Sequence, residues 1–130
     1  ADAEENLSPE LVSTNDYWDG LRDHTDPFFD NAEPLWRLSV PPAAPLAELR
    51  GEWLIEWGGA LRWLIGSTNS EDEIRKAAQT AGGHASLFRA GPRETPFAAL
   101  DSVSLKLHQR LKNTFDPNGI FNPGRLYREL

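Results

Sequence analysis

Apolar positions in this chain repeat with two periods, and the two alternate along its length. "LWRLSVPP" has period two: Trp36, Leu38 and Val40 fall on one side and Leu35, Arg37 and Ser39 on the other. That predicts a half-buried strand ended by Pro41-Pro42. "APLAEL" supports at most a turn or two of helix. In "GEWLIEWGGALRWLIGS" two aromatic-rich runs flank Gly58-Gly59, a pair suited to a tight hairpin turn. Trp53, Ile55 and Trp57 share one face of the first run; Leu61, Trp63 and Ile65 share one face of the second, with Arg62 opposite.

The period then lengthens. In "NSEDEIRKAAQTAGGH", Ile74, Ala77, Ala78 and Ala81 recur at helical spacing. Ser70 and Glu73 form a capping box, and Gly82 is the expected stop. "HASLFR" alternates again, Ala85 and Leu87 against His84, Ser86 and Phe88. "LDSVSLKLHQRLKNTF" predicts a last helix with Leu100, Leu107, Leu111 and Phe115 near one face. Upstream, Ser8 as N-cap, Pro9 at the first helical position and a stripe of Leu7, Leu11, Trp18 and Leu21 predict a helix stopped by Pro27.

The order helix, strand, weak helix, hairpin, helix, strand, helix, tail contains the β-(α)-β-β-α-β sequence of a ferredoxin-like α+β fold. Four antiparallel strands with helices on one face are expected, plus an N-terminal helix, a C-terminal helix and a structured tail. The segments expected are an acidic arm over 1–33, an α+β domain over 34–114 that includes the last helix, and a turn-rich tail over 115–130. By parity the second sheet face carries Arg37, Ser39, Glu56 and Arg62, with His84 and Ser86 beside them. Such a face is either wet or covered by something outside this chain.

Composition removes several chemistries. Among 130 residues there is no Cys, hence neither disulfide nor thiolate chemistry, and no Met. An opening "ADAEEN" without Met reads as the cut end of something longer. The net charge of −7 argues against nucleic-acid binding. Ten acids and one base, Arg22, lie in residues 1–33, a solvated helix or an arm that steers a basic partner. No apolar run reaches transmembrane length, and no signal peptide is visible, which favours a cytoplasmic location. His24, His84 and His108 have no metal-ligand spacing, so no metal is expected. His108 is expected to lie exposed on its helix. His84 is read as a solvated strand end, with an active-site role as the alternative. Gly58-Gly59 and Gly82-Gly83 are turn and cap signals rather than a phosphate loop.

The tail carries most information. "FDPNGIFNPGRLY" fixes backbone geometry where chain ends ordinarily fray. Its turns are expected to be ordered by their own residues, with Ile120 and Phe121 packing on the helix face that bears Leu107 and Leu111. "LHQRLKNTFDPNGIFNPGRLY" resembles the closing segment of FAD-linked oxidases of the vanillyl-alcohol-oxidase type. There an amphipathic helix leads to Asp-Pro, an apolar step, Asn-Pro-Gly and a basic residue; here these are Asp116-Pro117, Ile120-Phe121, Asn122-Pro123-Gly124 and Arg125. "LRDHTDPFF", "LWRLSVPPAAPL", "GEWLIEWGGALRWL" and "AGGHASLFR" extend the resemblance to the FAD-binding subunits of bacterial glycolate dehydrogenase (the glycolate oxidase E-subunit type), from about Tyr17 to Leu130.

The resemblance implies a C-terminal cap and tail without the N-terminal FAD-binding domain. The cap sheet would close over the flavin, and the tail would dock on that missing domain. Asn122, Pro123, Gly124 and Arg125 are then the flavin-side residues. The implied activity is FAD-dependent oxidation of glycolate to glyoxylate by the longer subunit, with other glycolate oxidase subunits as partners. The location implied is cytoplasmic, or at the inner membrane through those partners. This chain alone is expected to bind no FAD and to be inactive. Arg37 is the candidate for pairing the substrate carboxylate; the bland alternative is a salt bridge to Glu56. A reading from another class is a free-standing ferredoxin-like regulatory or interaction module.

Overall fold

The computed structural model describes residues 14–91 and 96–130. The expected cap at Ser8 and Pro9, and the positions Leu7 and Leu11, lie outside the described residues. The chain divides into two units, 1–32 and 33–130.

In the first unit, α1 runs Thr14–Asp23. It ends before Pro27, where His24 takes a left-handed φ of 55°. The Asp26 carboxylate then accepts from the Phe28 amide at 2.9 Å and caps a single 3-10 turn, Pro27–Phe29. His24 stacks on Phe29 with ring centroids 4.3 Å apart. Of the expected stripe, Leu21 is buried and Trp18 is exposed.

The second unit is built on a four-stranded antiparallel sheet of β1 (Leu35–Ser39), β2 (Glu52–Glu56), β3 (Leu61–Ile65) and β4 (His84–Arg89). Their spatial order is β2-β3-β1-β4, the ferredoxin-like order expected from the sequence. Helix α2 (Glu71–Thr80) opens on the Ser70–Glu73 capping box and packs against β4. Ile74 and Ala78 from α2 meet Trp36, Leu38, Leu64, Ala85 and Leu87, with Leu49 and Trp53 at the margin. Each large side chain buried there contributes about 1.5–3 kcal/mol. The Arg75 guanidinium lies over the Trp36 ring, 5.2 Å from its centroid, and donates to the Ala85 carbonyl at 3.1 Å. Gly83 lets the chain pass β1 closely: a Cβ there would lie 1.9 Å from the Ser39 carbonyl oxygen.

Four differences from the sequence expectation have physical causes. First, the turn or two of helix allowed for "APLAEL" does not form: residues 41–51 hold one turn, closed by the Ala44 amide on the Pro41 carbonyl, and otherwise irregular chain, a stretch too short to repay helix nucleation. A groove of about 700 Å³ lies between this connection and α2. Second, Arg62 does not sit on the face of Arg37. In register it opposes Leu38, so it points to the α2 side and is only 5% exposed. Its guanidinium donates to the carbonyls of Gly59 (2.9 Å), Pro45 (2.8 Å) and Ala44. One side chain thereby ties down the connection that lacks its helix. Third, Trp57 leaves the strand and enters the hairpin turn with φ 50°, 81% exposed. Fourth, the Arg37 face is not uniformly polar: Leu35, Trp63 and Ile65 share it and are buried.

Candidate functional site

Two exposed features of the second unit carry chemistry. The first is the C-terminal helix α3 (Ser102–Phe115) with its tail. Asp101 caps α3, its carboxylate accepting from the Val103 and Ser104 amides at 2.8 and 3.0 Å. No residue of α3 is buried, so it does not join α2 in covering the sheet. Val103, Leu107, Leu111 and Phe115, four residues apart, form an uncovered apolar stripe, with exposures from 48% to 80%.

The tail is held by one carboxylate. Asp116 is buried to 7% exposure among exposed neighbours. Its Oδ1 accepts from the Ile120 amide and its Oδ2 from the Phe121 amide, each at 2.9 Å. The Lys112 ammonium pairs with the same carboxylate at 2.6 Å and also donates to the Phe121 carbonyl. This lowers the Asp116 pKa to about 2; the Lys112 hydrogen bond is the largest cause, the two amides add to it, and burial opposes them. The sequence reading missed this role, although a Lys–Asp pair at i,i+4 before a turn was a legible signal. The expected packing of Ile120 and Phe121 on Leu107 and Leu111 is not found: both are 67% exposed, held through their backbones instead.

Beyond them Asn122, Pro123, Gly124 and Arg125 are all exposed. Asn122 (φ 46°) and Gly124 (φ 67°) are left-handed, a conformation that asparagine and glycine tolerate. The Arg125 amide donates to the Asn122 carbonyl at 3.2 Å, and the Gly124 amide to the Leu130 carbonyl. The loop is thus shaped by its own bonds, while the Asn122 amide group and Arg125 guanidinium make no hydrogen bond among the described residues.

The second feature is the exposed half of the sheet face opposite α2. Trp36, Leu38 and Val40 are the buried set of β1, and Arg37 and Ser39 the less buried, as alternation predicts. Arg37 does not pair with Glu56. The Glu56 carboxylate instead accepts from the Trp63 indole N–H. Trp63 in turn meets Phe88 edge to face at 5.0 Å. Arg37 lies opposite Ser86, and Ser39 opposite His84. Arg37 and the tail residues Asn122–Arg125 share no hydrogen bond or ion pair among the described residues. No group of three His, Cys, Asp or Glu among the described residues could hold a metal ion, and no helix among them is long and apolar enough to cross a membrane.

The region from 93 to 126, which contains α3, the Asp116 turn and Asn122–Arg125, matches the model for the C-terminal domain of FAD linked oxidases. More particularly, the chain is 48% identical over 128 residues to glycolate oxidase subunit GlcE of Escherichia coli (strain K12). That alignment covers 98% of this chain and 35% of the relative's length. No solved structure matches.

Proposed function

We propose that this chain is the cap and tail of an FAD-dependent 2-hydroxy-acid dehydrogenase subunit, with glycolate as the substrate. The observation that carries the reading is the tail: an internally bonded loop with its functional groups turned out, inside the stretch that matches the FAD linked oxidases. The stripe of Val103, Leu107, Leu111 and Phe115 is the face that docks on the remaining 65% of a subunit of the relative's length, since the alignment covers 35% of it.

FAD bound by the longer subunit would supply the hydride-accepting chemistry for oxidation at the substrate α-carbon. The residues present fit the edge of such a group: the Asn122 amide and Arg125 guanidinium, which make no hydrogen bond among the described residues, are donors on a loop shaped by its own backbone bonds. They would hold the flavin side, with Pro123 and Gly124 setting the backbone between them. Arg37 orients the substrate carboxylate, and the sheet excludes water from the substrate side. The other glycolate oxidase subunits are the electron-transfer partners in this reading, and cytoplasmic or membrane-surface location follows from them. The sequence offers no Gly-rich phosphate loop, and this chain by itself is expected to be inactive.

Asn122→Ala tests this. In the full-length subunit, flavin content after purification should fall. In this chain the same change should shift stability by less than about 0.5 kcal/mol, as for a surface residue. A large melting loss with unchanged flavin content would make the tail a lock of this domain and end the docking reading.

A further inference from the structure

We propose that Arg37, Ser39, Ser86 and His84 together form a recognition patch for a short 2-hydroxy carboxylate, with Arg37 taking the carboxylate and the β4 residues Ser86 and His84 taking the hydroxyl. The identity of the anion rests on the flavoenzyme reading above; the patch itself rests on strand register. Arg37 and Ser86 are directly opposite across β1 and β4, and so are Ser39 and His84. Arg37 and Ser39 are two apart on one strand, as are His84 and Ser86 on the other. All four therefore project from the same face, in a rectangle about 5 Å by 7 Å between Cβ atoms. That is the scale of a two- or three-carbon acid.

The four side chains are also uncommitted. Arg37 and His84 are exposed, and Ser39 and Ser86 half-buried. None of the four side chains makes a hydrogen bond, ion pair or ring contact among the described residues. Neighbouring cations behave otherwise: Arg62 is spent on three carbonyls and Arg75 on Glu71, Ala85 and Trp36. The two acids of β2 on this face, Glu52 and Glu56, lie two strands and about 10 Å from β1, in line with Leu35 and Ser39 rather than with Arg37. Glu56 is engaged by the Trp63 indole. Nothing negative competes for Arg37 within the β1–β4 rectangle. A guanidinium fork matches a carboxylate in plane, and a hydroxyl or imidazole beside it reads the adjacent substituent.

The test is an NMR titration of this chain with sodium glycolate, sodium acetate and sodium chloride. Glycolate should give saturable shifts at the Arg37 Nε–H and at the His84 and Ser86 amides. Its affinity should exceed that of acetate about three- to tenfold, the worth of one added hydrogen bond. Arg37→Gln should abolish saturation by both acids; a Ser86→Ala, His84→Ala double change should bring glycolate down to acetate. Arg110→Gln on α3 should change nothing. The proposal is overturned by three results: no saturable shift with glycolate, equal response to chloride, or binding that survives Arg37→Gln in a variant whose amide spectrum is native. No flavin is present in this titration. Failure here therefore leaves the Asn122 experiment intact, and unchanged flavin content there leaves the patch intact.

Discussion

Two charged side chains do structural work that their residue type does not advertise. Arg62 satisfies the carbonyls of Gly59, Pro45 and Ala44 from a buried position. Arg62→Met keeps the apolar stem but orphans those three acceptors. We expect a loss of about 2–4 kcal/mol in urea unfolding; Arg62→Lys, which cannot span three acceptors as a planar fork, should recover only part of it. Alternation correctly set the parity of β1, because there polarity and exposure agree. It misplaced Arg62 because a guanidinium whose donors all meet carbonyls can be buried against the usual rule for charged side chains. Asp116 is the second case. Its folded pKa, about 2, lies below the ordinary 3.8, so the turn is fully stabilised above pH 4 and loses that stabilisation as pH falls through 2. The Ile120 and Phe121 amide resonances should therefore move together in this acid window, and Asp116→Asn should shift both at neutral pH.

At the level of elements, α2 and α3 separate two uses of an amphipathic helix. The first is spent: Ile74 and Ala78 meet the sheet. The second keeps its apolar stripe in solvent. Leu107→Lys with Leu111→Lys should leave the thermal stability of this chain within about 0.5 kcal/mol, since neither is buried here. The same pair should abolish association with the rest of the subunit in a pull-down; retained association would mean that α3 is not the docking face. Four strands, the capping box and α3 were legible because each carries local punctuation: Gly58-Gly59, Ser70–Glu73, Gly82 and Asp101. The turn at Trp57 was less so. A strand pattern continues through it on paper, but the left-handed backbone of residues 57–59 ends the strand one residue sooner.

For the molecule as a whole, the strand order was readable from the sequence of elements, because the split-βαβ connection leaves few alternatives. The candidate patch was only half readable. Arg37, Ser39, His84 and Ser86 were assigned to one face by parity, but their pairing across β1 and β4 depends on a register that includes an irregularity between Leu35 and Trp36. Nothing in the local sequence specifies that offset. The same scale gives the Asp116 turn another meaning. Among the described residues, every hydrogen bond and ion pair that shapes residues 116–121 involves Lys112 or Asp116, inside one short stretch. In the proposed docking the tail would meet its counterpart already in its final form. Ordering entropy is spent during folding rather than at encounter, so assembly should be fast and need no slow rearrangement step. A synthetic peptide spanning α3 and the tail would then compete with this chain for the same surface.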